Sequence, residues 1–191
     1  MPDLPAGAEL LERAVGYTRT ALPHVAHVPP GASTPCTGWD LLTLLRHMDD
    51  SLAALTDAAD LGYVDLVPAS CPPPGDRASL LVHHLQARAC ALLGAWALQP
   101  PGATVSVSGR PLGSRLLGAA GALEIAVHGW DVARTCGVDL PLPPALAGDL
   151  LRIVPLLVGP DDRPALFAEP VDVPLAASAS TRLLAALGRR G

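Results

Sequence analysis

Glu124 and His128 lie one helical turn apart in a segment whose apolar pattern predicts a helix over residues 112–136. Side chains four residues apart share a helix face, so this carboxylate and this imidazole can converge on one cation. Asp131 continues the same narrow polar line, whereas most other sides of the helix are apolar, which is typical of a buried helix. A buried carboxylate needs a compensating charge. A metal ion is a natural candidate for that charge.

His47 is the best candidate for a third ligand from another helix. It lies at the edge of a leucine stripe in a helix predicted over residues 38–60, where it could reach the centre of a bundle. Two imidazoles and one carboxylate that leave coordination positions open are typical of catalytic rather than structural metal sites. The spacing leaves one alternative open, in which the Glu-His pair instead contacts Arg134 or Arg115 at the surface.

Asp131 and Trp39 are candidates for groups that support the ligands. A carboxylate that orients a ligating imidazole is common around metal sites, and Asp131 is three residues after His128. The alternative for Asp131 is a salt bridge to Arg134. For Trp39 the alternative, and the favoured one, is core packing.

A cofactor or substrate with carboxylate and sugar groups would need basic partners. Adjacent helical residues point about 100° apart, so His83 and His84 cannot both face one site, and His84 is the one that could line a cavity. The remaining candidates for binding a cofactor are three arginines, Arg46, Arg88 and Arg115.

The four cysteines are interpreted as packing residues. They are widely spaced and form no C-x-x-C pair, so in a cytoplasmic chain of this size we expect free thiols without disulfide bonds. These residues are Cys36, Cys71, Cys90 and Cys136.

Composition narrows the class of protein that must hold these residues. The chain has 191 residues, 50% of them hydrophobic and only 3% aromatic, which favours one helical domain with a sizeable core. The net charge is −5 and there is no basic block, so nucleic acid is not an expected partner. Charges interrupt every apolar run, and the N-terminus lacks the pattern of a signal peptide, so we expect a cytoplasmic protein without a membrane span. All 13 basic residues are arginine and there is no lysine or asparagine, as expected from a GC-rich genome.

The elements that must position the ligands are predicted to be helices. We expect a four-helix bundle with up-down packing over residues 1–160, and a Pro-rich tail with a short helix over residues 161–191 that packs on the bundle. Thr37 and Asp40 have the spacing of a capping box at the start of the second helix. Predicted helices span 7–22, 38–60, 112–136, 143–158 and 180–188, and one short strand spans 104–109. A further helix is predicted to start at Asp76 or Ser79 and to run to about Leu98.

Three segments resemble the mycothiol-dependent maleylpyruvate isomerase family. The segment Thr34-Pro-Cys-Thr-Gly-Trp-Asp40, followed by His47, is similar to the start of that family's second helix. Residues 123–133, with the pattern E-x-x-x-H-G-W-D, resemble its metal-binding helix. The tail resembles a short actinobacterial subgroup. The resemblance implies an all-α, DinB-like four-helix bundle with a short irregular C-terminal tail, and a divalent metal held by His47, Glu124 and His128. Zinc is the first expectation, and Ni, Fe or Mn would also suit these ligands.

The chemistry that the resemblance implies uses mycothiol, a small thiol, as co-substrate. A metal lowers the pKa of a bound thiol, and the resulting thiolate attacks an electrophilic carbon of a small-molecule substrate. We therefore expect a metal-dependent thiol transferase or isomerase that acts as a monomer or homodimer. Full isomerases add a C-terminal α/β domain where this chain has only residues 161–191. Maleylpyruvate itself therefore does not carry over as the substrate.

Two alternatives remain open at this point. The first is a tailoring enzyme of a biosynthetic pathway that uses the metal as a Lewis acid to polarise a carbonyl group and needs no thiol. The second is a binding protein for a metal or small ligand that performs no catalysis.

Overall fold

The computed structural model describes residues 5–64, 78–100, 102–163 and 167–190. Within it the chain forms two compact units, of which the larger is Ala6–Leu140 and the other contains the residues from Pro141 onward. This division falls earlier than the boundary that we expected after residue 160. The helix expected over 143–158 therefore groups with the C-terminal residues.

The larger unit is built on four helices, which confirms the expected helical class. They are α1 (Gly7–Ala21), α2 (Leu41–Leu61), α3 (Ala78–Ala97) and α4 (Ser114–Thr135), with a short 3-10 helix at Leu22–His27 after α1. Leucine, alanine and valine side chains between them form the core. None of the described helices combines the length and the apolar character needed to cross a bilayer.

The start of α2 differs from the predicted capping box. Gly38 has a φ of 81°, a left-handed conformation that cannot belong to a right-handed helix. The helix therefore begins at Leu41, and the N-cap is Asp40, whose side chain accepts a hydrogen bond from the Thr43 amide. The prediction of Thr37 as N-cap was wrong for this reason.

Contacts along the helices define their directions. Gly7 lies against Gly118 near the start of α4, and the Thr18 hydroxyl donates to the Ile125 carbonyl further along, so α1 and α4 are parallel. Leu55 of α2 lies against Gly121 of α4. Because His47, earlier in α2, instead contacts a later residue of α4, these two helices are antiparallel.

The second and third helices run in the same direction. Asp49 contacts His84 near the start of α3, whereas the Leu55 carbonyl accepts a hydrogen bond from Trp96 near its end. The bundle is therefore up-down-down-up rather than simply alternating. The strands that follow these helices, β1 (Tyr63–Val64) and β2 (Thr104–Val107), pair in parallel, as expected if both helices end on the same side. Parallel strands require a long crossover connection, which here includes α3.

A hairpin precedes α4, where the sequence predicts a single strand over 104–109. Strand β2 pairs with the antiparallel strand β3 (Arg110–Gly113). The two residues between them, Ser108 and Gly109, have φ values of 47° and 76°, as a tight two-residue hairpin turn requires. The small sheet ends where α4 begins.

The C-terminal unit contains α5 (Pro144–Leu157), a 3-10 turn at Pro160–Asp162 and α6 (Ala179–Ala186). Helix α5 packs on α6, and the Leu142 amide donates a hydrogen bond to the Ser180 hydroxyl. The short helix predicted near the C-terminus is therefore present.

Candidate metal centre

His47, Glu124 and His128 converge between α2 and α4. Glu124 Oε1 lies 2.5 Å from His47 Nε2 and 3.2 Å from His128 Nε2. One ligand atom from each residue lies within 4.8 Å of the other two. The His128 side chain is 9% exposed, whereas those of His47 and Glu124 are about one-third exposed. The three atoms could bind a single cation that remains accessible from solvent.

Glycines on α4 allow the close helix packing that brings these residues together. A Cβ atom at Gly121 would lie 2.7 Å from the Leu55 side chain of α2. A Cβ atom at Gly129 would overlap the Thr18 side chain of α1. These two glycines flank Glu124 and His128 along the helix, so α4 is held tightly against both neighbours at the level of the site.

Ser51 adds a hydrogen bond to the carboxylate. It lies one turn after His47 on α2, and its hydroxyl donates to Glu124 Oε1 at 3.2 Å. Burial by itself raises the pKa of Glu124. The charge of His128 and the hydrogen bonds from both imidazoles outweigh this and hold the pKa well below its usual range. Glu124 is therefore ionised at neutral pH.

Asp131 contacts Nδ1 of His128, the ring nitrogen that does not face Glu124. The distance from His128 Nδ1 to Asp131 Oδ2 is 2.9 Å, and the Asp131 side chain is fully buried. The Arg134 guanidinium, the alternative partner in the sequence analysis, lies over the Trp130 ring, 5.7 Å from its centre. Asp131 thus occupies the position expected of a carboxylate that orients a ligating histidine.

The surroundings of His128 fit a bound cation. Burial lowers its pKa, but the Glu124 charge and hydrogen bonds to Asp131, Cys36 and Glu124 outweigh burial, so in the metal-free chain the pKa lies well above its usual value. With the Nδ1 proton facing Asp131, Nε2 faces a second carboxylate. That position needs a positive charge, which either a proton or a metal ion supplies. The two imidazoles and one carboxylate are donors that suit zinc and other divalent transition metals.

A second group of possible metal ligands shares His128 with the first group. Cys36 Sγ lies 3.2 Å from Asp131 Oδ2 and 3.7 Å from His128 Nδ1. These three residues could also hold a metal ion, through the other nitrogen of His128. The wide spacing of the cysteines predicted only a packing role for Cys36, so its place at the site was not predicted. Its place three residues before Trp39, in the segment that precedes α2, was the available signal.

The loop before α2 carries both Cys36 and Trp39 to the site. The Thr34 hydroxyl accepts a hydrogen bond from the Cys36 amide and donates one to the Trp39 carbonyl, which closes the loop. The Trp39 ring centre lies 4.7 Å from that of His47 and 6.1 Å from that of His128. Trp39 is partly exposed and contacts the imidazoles, so it covers the site rather than packing in the core.

The other candidate binding residues lie elsewhere. His84 Nδ1 and Arg88 Nε of α3 lie 3.0 Å and 2.8 Å from Asp49 Oδ1, and Asp49 is buried on α2. This cluster was not predicted, because nothing in the sequence near Asp49 indicates that its partners lie on α3.

The remaining two arginines are both exposed. Arg46 lies near Asp40, where its charge adds to the hydrogen bonds from Thr43 in lowering the Asp40 pKa. Arg115 is in the first turn of α4, about 13 Å along the helix axis from Glu124 at the usual rise per residue.

Among the described residues, Cys36, Cys90 and Cys136 form no disulfide bond, in agreement with the expected free thiols. Cys71 lies outside the described residues.

Comparison with protein families matches residues 11–133 to the mycothiol maleylpyruvate isomerase N-terminal domain. The chain belongs to this family. The match spans most of the four-helix unit and includes the loop with Cys36, the His47 helix and the segment from Glu124 to Asp131. The family predicted from the sequence motifs is therefore confirmed. Neither the curated proteins nor the solved structures provided a match.

Proposed function

We propose that this protein is a metal-dependent enzyme that transfers a small thiol, mycothiol in the first instance, to an electrophilic small molecule or isomerises that molecule through a thiol adduct. His47, Glu124 and His128 would hold the metal, with zinc as the first expectation. The observation that carries the proposal is the position of His128 between two carboxylates. Its Nδ1 faces Asp131 and its Nε2 faces Glu124.

A divalent ion bound there supplies Lewis acidity, which favours the thiolate form of a thiol at neutral pH. The protein supplies the geometry. Asp131 keeps the proton of His128 on Nδ1, so that the lone pair of Nε2 points toward Glu124 and His47. Ser51 fixes one oxygen of Glu124, and Trp39 lies against both imidazole rings.

Membership of the family supports the thiol, because the matched domain carries mycothiol in its description. Among the described cysteines Cys36 is the one that reaches the site, but its sulfur lies close to Asp131 Oδ2, where its S–H can donate a hydrogen bond. The nucleophile in this proposal is therefore the co-substrate thiol. Thiol-independent Lewis-acid chemistry is the competing outcome of the experiment below.

The experiment starts with elemental analysis of the purified full chain and of the chain reloaded with zinc. We expect one ion per chain, and much less in the His47→Ala and Glu124→Gln variants. His83→Ala is the matched control, since His83 is exposed on α3 and should leave metal content unchanged. Full retention of metal in His47→Ala would refute the ligand assignment.

The second measurement follows thiol transfer to monochlorobimane. The thiol sulfur forms a bond to carbon, the carbon–chlorine bond breaks, and chloride and the thiol proton are released. We expect the zinc-loaded chain to accelerate the reaction of mycothiol, and the metal-free chain not to do so. If zinc binds at one ion per chain but neither this electrophile nor an unsaturated carbonyl compound reacts faster, the thiol-transfer proposal fails and thiol-independent chemistry is favoured.

A further inference from the structure

A narrow cleft enters the four-helix unit beside the candidate metal centre. The cleft is partly open to solvent, and the space inside it that a water-sized molecule can reach is small. Every helix of the unit contributes to its wall, which is mostly aliphatic, with one thioether. Among the residues that line it are Val15, Met48, Leu52, Leu85 and Ala89, all of them buried. Such a surface favours a slender apolar ligand over a polar one.

Apart from Thr18, whose hydroxyl donates to the Ile125 carbonyl, the polar side chains of the cleft fall into two sets. Ser51 and Glu124 belong to the α2–α4 seam, where the hydroxyl donates to the carboxylate. Arg19 and Gln86 belong to the facing helices α1 and α3. Arg19 is exposed and Gln86 is half-buried, so these two lie at the solvent side of the cleft.

Two other arginines of the larger unit lie against carboxylates, and Arg19 lies against none of the described ones. Arg13, also on α1, lies 3.7 Å from Glu9, and Arg88 lies 2.8 Å from Asp49. For Arg19, no ion pair or hydrogen bond of its side chain to another described residue is present. A guanidinium that has no partner among the described residues and lies at the edge of an apolar cleft suits a ligand whose apolar body ends in an anion.

We propose that the cleft binds an unbranched alkyl carboxylate. The carboxylate pairs with Arg19 and accepts a hydrogen bond from Gln86, the alkyl chain lies along the aliphatic wall, and the far end of the chain reaches Ser51 and Glu124. In the metal-free chain the opposite orientation would place two carboxylates together and is disfavoured by their repulsion. An alkyl carboxylate is not itself an electrophile, so the inference names the substrate class of the proposed function only where the far end of the alkyl chain carries the electrophilic carbon, and to that extent it rests on the proposed function. The binding of the alkyl carboxylate does not require a metal.

Hexanoate is the probe, and its binding to the full chain is measured by titration calorimetry. Hexanol tests the contribution of the alkyl chain without the negative charge. Succinate tests negative charge without a long alkyl chain. We expect hexanoate to bind about two- to fivefold more tightly than hexanol, as a partly exposed ion pair allows, and succinate not to bind. Arg19→Gln should reduce hexanoate binding to the level of hexanol and leave hexanol unchanged. Arg13→Gln is the matched control on the same helix and should bind hexanoate as the parent chain does.

The aliphatic wall of the cleft is tested with a separate set of variants. Ala89→Leu fills the cleft and should abolish binding of both hexanoate and hexanol, whereas Ala87→Leu, on the exposed side of α3, should not. Gln86→Glu adds a negative charge without changing the core and should weaken hexanoate alone, which keeps the test valid if Ala89→Leu does not fold. The proposal is overturned if hexanoate does not bind, or if Arg19→Gln or Gln86→Glu binds it unchanged.

The outcomes above are those expected of metal-free protein, because a zinc ion beside Glu124 would itself attract a carboxylate. Each titration is then repeated on zinc-loaded protein. Hexanoate binding to a chain that takes up no zinc would leave the cleft assignment standing while the proposed function fails. Zinc uptake and thiol transfer without hexanoate binding would leave the proposed function standing while the cleft assignment fails.

Discussion

The imidazole of His128 and the carboxylate of Asp131 are 2.9 Å apart on successive turns of α4, with Nδ1 facing the buried oxygen. This contact fixes which nitrogen of His128 carries the proton in the neutral ring. It leaves Nε2 as the nitrogen that faces Glu124, at 3.2 Å. The availability of His128 as a metal ligand therefore depends on Asp131.

Asp131→Asn should weaken zinc binding by about 10- to 100-fold, the usual range for loss of a carboxylate behind a ligating histidine. The variant retains the size of the side chain but removes the charge that holds the Nδ1 proton. Competition with a chelator of known affinity measures the change. Asp149→Asn, on α5 and paired with Arg152, is the control and should bind zinc normally. Equal affinity in Asp131→Asn would show that the contact does not tune the ligand.

Cys36→Ser should preserve metal stoichiometry, because Cys36 is expected to donate to Asp131 and not to ligate the ion. Replacement of zinc by cobalt distinguishes the two overlapping donor groups, since a thiolate ligand gives an intense near-ultraviolet charge-transfer band. We expect no such band in the parent chain. A band that disappears in Cys36→Ser and persists in Cys136→Ser would instead place the ion between Cys36, His128 and Asp131.

Zinc affinity should fall as the pH is lowered. The pKa of His128 in the metal-free chain is raised well above its usual value, mainly through the Glu124 charge, so a proton competes with the metal for the site. Binding then displaces a proton below that raised pKa, and loss of affinity begins above the pH of about 6.5 at which an ordinary imidazole titrates. Calorimetry in two buffers of different ionisation enthalpy measures the released proton. Affinity that is constant between about pH 6 and 8 would contradict this expectation.

Gly129→Ala should destabilise the protein by about 1–3 kcal/mol, because the added methyl group would overlap Thr18 on α1 and force the helices apart. Urea unfolding measures the free energy. Gly94→Ala is the control, since a Cβ atom at Gly94, within α3, meets no atom within 4 Å. That substitution should stabilise the protein by about 0.5–1 kcal/mol through helix propensity. Similar effects at the two positions would argue against tight packing of α1 on α4.

The sequence alone determined where the helices lie and which face of α4 carries the polar residues. Helical periodicity is a local property, so the spacing of Glu124 and His128 indicated one face before any tertiary contact was considered. The motifs around His47 and Glu124 also indicated the family, which the match over residues 11–133 confirms. The exact start of α2 depended on local backbone conformation. Because Gly38 is left-handed, the helix begins at Leu41 and not at residue 38.

Only the tertiary structure decided which distant residues meet. Cys36 reaches His128 across 92 residues of sequence, and Asp49 finds His84 and Arg88 because α2 and α3 run in the same direction. Helix direction depends on the connections between the helices and on the packing of all four, and the periodicity of a single helix predicts neither. The close approach of α4 to its neighbours, which glycine permits at Gly121 and Gly129, then brings the donor atoms of α2 and α4 within 4.8 Å of one another.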